Sequence, residues 1–225
     1  MSKGKLIVID GTDGTGKKTQ TEILLKRLLS EGIKAYSLDF PQYENNIAGK
    51  LLHEALKEDK HGDFLAISPK IASVIYAFDR MESSPTIRGW IDDGAIVILD
   101  RYVSSNQIHQ GGKIADPIKR REFINWLDEL EFTGSKLPRP DIVLYLDVPV
   151  EVSLQLIQKR AEITGLKPDQ SESSGDHLRE SQERTLSVIN EYPNWKRVDC
   201  SDGDQIKSRE SIHESIYQIV KEYLV

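Results

Sequence analysis

GTDGTGKKT, residues 11–19, decides how the rest of the chain reads. It follows the apolar run KLIVID at 5–10 and completes the spacing G-x-x-x-x-G-K from Gly11 through Gly16 to Lys17. A strand ending at Asp10, a glycine-rich turn and a helix starting near Lys17 would aim backbone N–H groups and a helix dipole at a bound phosphate. Lys17 then adds a compact cation for the β and γ phosphates. A glycine turn can also merely join strand to helix, but the full spacing in this context favours phosphate binding. One feature is unusual: Lys18 stands where a hydroxyl is common, and the first hydroxyl arrives one place late, at Thr19. The phosphate-loop candidates are Gly11, Thr12, Asp13, Gly14, Thr15, Gly16, Lys17, Lys18 and Thr19.

Outward from this loop, four more β-rich runs follow: KAYSLDF at 34–40, AIVILD at 95–100, DIVLYLD at 141–147 and KRVDC at 196–200. Nearly continuous apolarity in three of the five predicts strands covered on both faces. Helical patterns at 17–31, 46–57, 68–91, 115–131, 149–162, 176–191 and 205–223 alternate with them. That alternation predicts an α/β fold, a five-stranded parallel sheet flanked by helices on both faces. TGLKPDQSESSGD at 164–176 interrupts the helical pattern and reads as a short lid, placed at 161–178 within a single domain spanning 1–225.

Composition narrows the function. With 30 basic and 36 acidic residues the net charge is −6, so the chain lacks the basic footprint that duplex nucleic acid requires. Small anionic ligands remain compatible if cations are local. One cysteine, Cys200, excludes an intramolecular disulfide framework and a multi-cysteine zinc site. The expected location is cytoplasmic, with no signal peptide and no run long enough to span a bilayer. His53, His61, His177 and His213 show no metal-ligand spacing with one another.

A second cluster lies in AIVILDRYVSSN, where a buried strand delivers Asp100 and Arg101 at its carboxyl end, the edge where open α/β sheets bind ligands. Asp100 is placed there for magnesium or its water shell, against the alternative of an ordinary ion pair. Arg80, in IYAFDR, reads equally as a ligand-binding group or as a solvated charge on an amphipathic helix.

Taken together, GTDGTGKKT, FPQY at 40–43, YAFDR at 76–80, DRYVSSN at 100–106 and LPRPDIVLYLDVP at 137–149 resemble the thymidylate kinases, a family of P-loop nucleoside monophosphate kinases. The likeness covers most of the chain. It is to the branch with glycine at the position of Gly14 and a basic residue after the loop lysine. The resemblance implies a P-loop NTPase fold, magnesium, ATP as co-substrate, phosphoryl transfer to dTMP, and a homodimer. The catalytic set it implies is Lys17, Asp13 and Arg101, with Asp13 near the acceptor's sugar and, like Asp100, a candidate for magnesium through water. Phe40, Pro41, Tyr43, Tyr76, Arg80, Arg101, Ser105, Asn106 and His109 match the acceptor side, with Tyr76 stacking on the base and the two arginines gripping the phosphate.

Because Gly14 leaves the loop without an arginine, the transition-state cation must come from elsewhere. Arg160 in LIQKRAEI is the first candidate and Lys18 the second, although Lys18 is as readily a solvated first-turn lysine. Departures from the family pattern are specific: Lys167 is the one cation between 161 and 177, Gln42 replaces an arginine, Leu178 an aromatic and His109 a tyrosine. His109 is expected to titrate near neutral pH. A kinase of another acceptor such as dUMP or UMP, and a nucleotide-binding protein with little catalysis, are therefore the alternatives.

Overall fold

The computed structural model describes residues 3–58, 60–165, 175–187 and 189–224. Its centre is a sheet of five strands, β1 (Lys5–Asp10), β2 (Ala35–Asp39), β3 (Ile96–Asp100), β4 (Ile142–Asp147) and β5 (Trp195–Asp199). They lie in the order β2-β3-β1-β4-β5 and every pairing is parallel. All five expected strands form, each within a residue of its expected ends. The helices are α1 (Lys17–Ser30), α2 (Ile47–Lys57), α3 (Pro69–Asp92), α4 (Val103–Ser105), α5 (Pro117–Asp128), α6 (Val150–Thr164), α7 (Gly175–Leu186) and α8 (Arg209–Lys221).

Strand periodicity divides the core in two. Ile7 and Ile9 of β1 pack with Leu24 and Leu28 of α1 and with Ile212 and Ile216 of α8. Leu6 and Val8, pointing the other way, pack with Ile87 and Ile91 of α3 and with Tyr145 and Trp195. Each such fully buried aliphatic side chain contributes about 1.5–3 kcal/mol, which is why the sheet is covered on both faces. At the β2 edge, Tyr36 stacks on Trp90 of α3 with ring centroids 4.7 Å apart.

Several boundaries differ from expectation. The helix expected at 205–223 begins at Arg209, because Ser201–Asp202 and Gln205–Ile206 first form a small hairpin around Gly203 at φ 59°. Ser208 then caps α8, its Oγ accepting from Ser211 N at 3.1 Å. Beyond Asp128, α5 loosens into π-helical turns at Glu129–Gly134, and the 176–191 pattern ends in a 3-10 turn at Ile189–Glu191. The helical stretch after Arg101, α4 followed by a π-helical turn at Asn106–Gln110, was not anticipated. Of the lid expected at 161–178, residues 166–174, Lys167 among them, lie outside the described residues. The flanks are the end of α6, Gly165 at φ 70°, and the start of α7.

The carboxyl edge of the sheet is acidic throughout. Every strand ends in an aspartate: Asp10, Asp39, Asp100, Asp147 and Asp199. Four of these carboxylates are engaged locally. Asp10 accepts from Gly11 N, Ser104 Oγ and Ser105 Oγ, and Asp39 from Gln42 Nε2. Asp147 accepts from Gln182 and Arg197, and Asp199 pairs with Lys207. Asp100 instead keeps a buried oxygen, Oδ1, without a hydrogen-bond partner among the described residues.

Candidate active site

The phosphate loop is built by close approach. Gly11 lies against β4, where a Cβ would come within 2.7 Å of the Leu146 carbonyl oxygen. Gly14, at φ 79°, lies against α6, where a Cβ would meet the Ser153 carbonyl oxygen at 2.6 Å and Ile157 at 2.9 Å. A side chain of any size at position 14 is therefore excluded by α6 as well as by its own backbone. Gly16, at φ 85° and ψ 17°, hands the chain to α1 with no side-chain cap, leaving the first N–H groups of the helix facing the loop. Lys17 folds back over the loop, its Nζ donating to the carbonyls of Gly11 at 3.1 Å and Thr12 at 2.7 Å. Burial lowers its ammonium to about 8, Arg101 adds to that shift, and Asp13 opposes it. Lys18 is exposed on the first turn of α1.

Four sequence-predicted residues converge at the adjoining edge of β3. Arg101 takes the left-handed conformation at φ 69°, held by its N–H to the Ile9 carbonyl at 3.0 Å. This strained backbone sits at a strand end beside the loop, where such geometry is characteristic of functional positions. From there its guanidinium pairs with Asp13 and comes within 3.3 Å of His109 Nε2. Burial alone would raise the Asp13 carboxyl, but Arg101, with Lys17 behind it, holds it well below the usual carboxylate range. Asp100, by contrast, is raised by burial to about 6, although Lys17 and Arg101 both pull it down.

His109 behaves differently from expectation. Burial pushes its imidazole well below its ordinary value, with Arg101 working the same way against Asp13, so it is neutral at physiological pH. Its ring stacks on His177 of α7 at 5.7 Å, a contact no local pattern announced.

Arg80 gives the clearest correction. It is not a solvated helix charge: it is 2% exposed, donating from Nε and Nη2 to both oxygens of Glu131 at 2.7 and 2.5 Å and from Nη1 to the Tyr102 carbonyl. Glu131 is 0% exposed and also accepts from Asn106 Nδ2 at 3.3 Å. This buried three-residue knot joins α3, the π-helical turn at 106–110 and the one at 129–134. Glu131 was missed because it lies in a stretch with no motif.

The other acceptor-side candidates sit close by. Phe40 is buried against Tyr102, Tyr43 packs edge-on to His53, and half-buried Tyr76 packs edge-on to Phe64. Pro41 follows Phe40 through a cis peptide bond. Gln42 donates from its backbone to Asp79 and from its side chain to Asp39. Ser105 turns its hydroxyl to Asp10 at 2.8 and 2.9 Å, so it braces the phosphate-loop strand. Leu178 fills an apolar cluster with Val150 and Ile157. Arg160 is exposed on α6 one turn beyond Ile157, the residue that abuts Gly14.

Comparison with known proteins identifies the family. The thymidylate kinase family model matches residues 9–216. A thymidylate kinase of Mycobacterium tuberculosis is 32% identical over 186 residues, covering 83% of this chain and 84% of the relative. Human thymidylate kinase is 30% identical over 95% of this chain and 88% of its own. Among solved structures, the thymidylate kinase of Candida albicans has a TM-score of 0.73 over 99% of this chain and 94% of its own, and at 23% identity it supports the fold. A match from strand β1 to helix α8, together with relatives of this identity and coverage, places the chain in the thymidylate kinase family.

Proposed function

We propose that the protein is a thymidylate kinase that transfers the γ-phosphoryl group of ATP to dTMP, giving dTDP and ADP. The observation that carries this reading is the Asp13–Arg101 pair, which ties the phosphate loop to the carboxyl edge of β3 beside Lys17 and Asp100. An acceptor phosphate oxygen forms the new bond to the γ-phosphorus while the bond to the β–γ bridging oxygen breaks. The protein's part is to align two anions and offset charge on the transferred group.

Gly11 to Thr19 and Lys17 hold the donor phosphates, and Lys17 releases its two loop carbonyls to do so. Arg101 binds the acceptor phosphate, exchanging one anion, Asp13, for another, while Asp13 turns to the acceptor's sugar. Tyr76 supplies a stacking face for the base, with Phe40, Pro41, Tyr43, Ser105, Asn106 and His109 shaping the pocket. Arg80 acts from within the knot, as the support of Asn106. Arg160 is the candidate transition-state cation, because it extends from the α6 face that touches the loop.

The residues present fit magnesium. The unpartnered Oδ1 of Asp100 is a hard oxygen donor at the loop, and this metal is commonly held by one or two carboxylates plus substrate phosphates. Among the described residues no cluster of three or more side chains forms a dedicated metal cage, which suits an ion that arrives with its nucleotide. Asp100, with Asp13 through water, would hold it, and the ion would offset negative charge on the donor phosphates.

The outer faces of α2 and α3 expose Ile47, Leu51, Ile71, Phe78 and Met81, an apolar patch suited to a homodimer. No helix among the described residues is long and apolar enough to cross a membrane, and a cytoplasmic location is part of the proposal. The specific observation favouring a different acceptor is His109, whose Nδ1 is buried without a hydrogen-bond partner among the described residues. An acceptor panel of dTMP, dUMP and UMP with ATP and magnesium tests both readings. A clear preference in kcat/KM for dTMP is expected; comparable values for UMP select the changed acceptor, and no product with any acceptor selects a nucleotide-binding protein.

A further inference from the structure

One face of α7 lies over the π-helical turn that carries His109. His177, Ser181 and Arg184 recur at i, i+4 and i+7 and so share that face. Each of the three meets the stretch 106–112. A Cβ added at Gly112 would come within 2.7 Å of Ser181 Oγ and 2.9 Å of Ser181 Cα, so the helix approaches too closely for any residue but glycine. Arg184 donates from Nη1 to the Gly112 carbonyl, and the His177 ring packs on that of His109 at 5.7 Å with the planes 29° apart. Next to His177, Leu178 is 0% exposed and anchors the helix to Val150, Leu154 and Ile157 of α6. His177 is thus presented from a docked element.

His109 is the link to the chemistry. Its Nε2 lies 3.3 Å from Arg101 Nη1. A guanidinium only donates, so Nε2 supplies the lone pair and the ring proton sits on Nδ1. That Nδ1 is buried and has no hydrogen-bond partner among the described residues. A histidine ring is ordinarily oriented by the hydrogen bond its second nitrogen makes. Here the orientation falls to packing on the ring face, where His177 lies, at a separation inside the roughly 4.5–7 Å over which aromatic rings attract.

The two contacts of Arg101 use different nitrogens. Nη2 pairs with Asp13 and Nη1 meets His109. The contact to His109 can therefore persist when Arg101 exchanges Asp13 for an acceptor phosphate, and it keeps the guanidinium aimed during that exchange.

We propose that His177 is a positioning residue for the acceptor side: its ring holds the ring of His109, which holds Arg101 in the orientation that receives the acceptor phosphate. The role given to Arg101 rests on the kinase reading, whereas the chain from His177 through His109 to Arg101 rests on contacts alone. The alternative is that His177 only anchors α7. Anchoring is felt by both substrates and by stability, while positioning is felt by the acceptor.

The test compares the parent protein with His177→Ala and with His177→Phe, whose phenyl ring keeps a stacking face and gives up both ring nitrogens. With ATP and magnesium, His177→Ala should raise KM for dTMP about five- to tenfold, as for the loss of one aromatic stack, and leave kcat and KM for ATP within about twofold. His177→Phe should recover most of that loss. An unchanged KM for dTMP, or equal rises for both substrates with a lowered urea midpoint, overturns the proposal. A second readout needs no turnover: the Arg101 Nε–H resonance of the ligand-free protein in nitrogen-15 NMR, assigned by its loss in Arg101→Lys. It should shift or broaden in His177→Ala and return in His177→Phe. A signal that stays still in His177→Ala overturns the proposal whatever the acceptor. A signal that moves in a protein with no turnover on any nucleotide supports the positioning contact and rejects the kinase reading instead.

Discussion

Two arginine–carboxylate pairs flank the site, and their surroundings differ. Arg80 and Glu131 are sealed inside the molecule at 2% and 0% side-chain exposure, joined by two hydrogen bonds along one edge of the guanidinium. Arg101 reaches the rim at 23% side-chain exposure, on a strained backbone, and pairs with Asp13, which is buried at 5%. Breaking a buried pair strands a charge in low dielectric, whereas a rim pair can exchange partners with a ligand. The interior pair is accordingly a condition of folding, and under the proposed function the rim pair holds the place of substrate.

The largest expected effect belongs to the loop beside the rim pair. Lys17→Ala should lower kcat by about a thousandfold or more, because a cation for the transferred group disappears, while urea unfolding stays close to that of the parent. Unchanged turnover in that variant would remove the loop from catalysis. The two pairs are then separated by a matched set. Arg101→Gln should cost about a hundredfold in kcat/KM with little change in the urea midpoint. Glu131→Gln should cost roughly 3–5 kcal/mol of stability. A stable Glu131→Gln alongside an unfolded Arg101→Gln would invert the comparison.

A smaller effect is the pH profile of kcat/KM, which reports the free enzyme. Asp100, raised by burial to about 6, protonates on the acid side, and Lys17, lowered to about 8, loses its charge on the alkaline side, so activity should be bell-shaped with its plateau between them. Stability does not follow activity on the acid limb. The folded protein binds the Asp100 proton more tightly than the unfolded chain, so that group's contribution is full below about 4 and is lost as pH rises through about 6. A profile flat from pH 5 to 9 would place neither group at the chemistry. Smallest of all, Lys18→Ala should change stability by less than about 0.5 kcal/mol, as for an exposed helix residue, and turnover only slightly. A large fall in kcat would transfer the cation role from Arg160 to Lys18.

What the sequence by itself determined is local in origin. Strand and helix alternation, the glycine spacing, and Asp100–Arg101 at a strand end all follow from backbone periodicity and turn chemistry, which act over a few residues. The five strands and the phosphate loop were legible for that reason. The start of α8 was misplaced at 205 because Gln205–Ile206 pairs with Ser201–Asp202 across the turn at Gly203, a pairing that the helical periodicity beyond it does not register.

Only the tertiary structure decided which charged groups meet. Arg80 finds Glu131 across 51 positions, Ser105 finds Asp10 across 95, and Arg101 finds Asp13 across 88. No local preference specifies such partners. They are chosen when α3 and the turns at 106–110 and 129–134 bury their apolar faces on the same side of the sheet, and polar groups carried along must pair or pay the desolvation cost. The same packing drives His109 below its ordinary titration range, which no spacing in the sequence encodes.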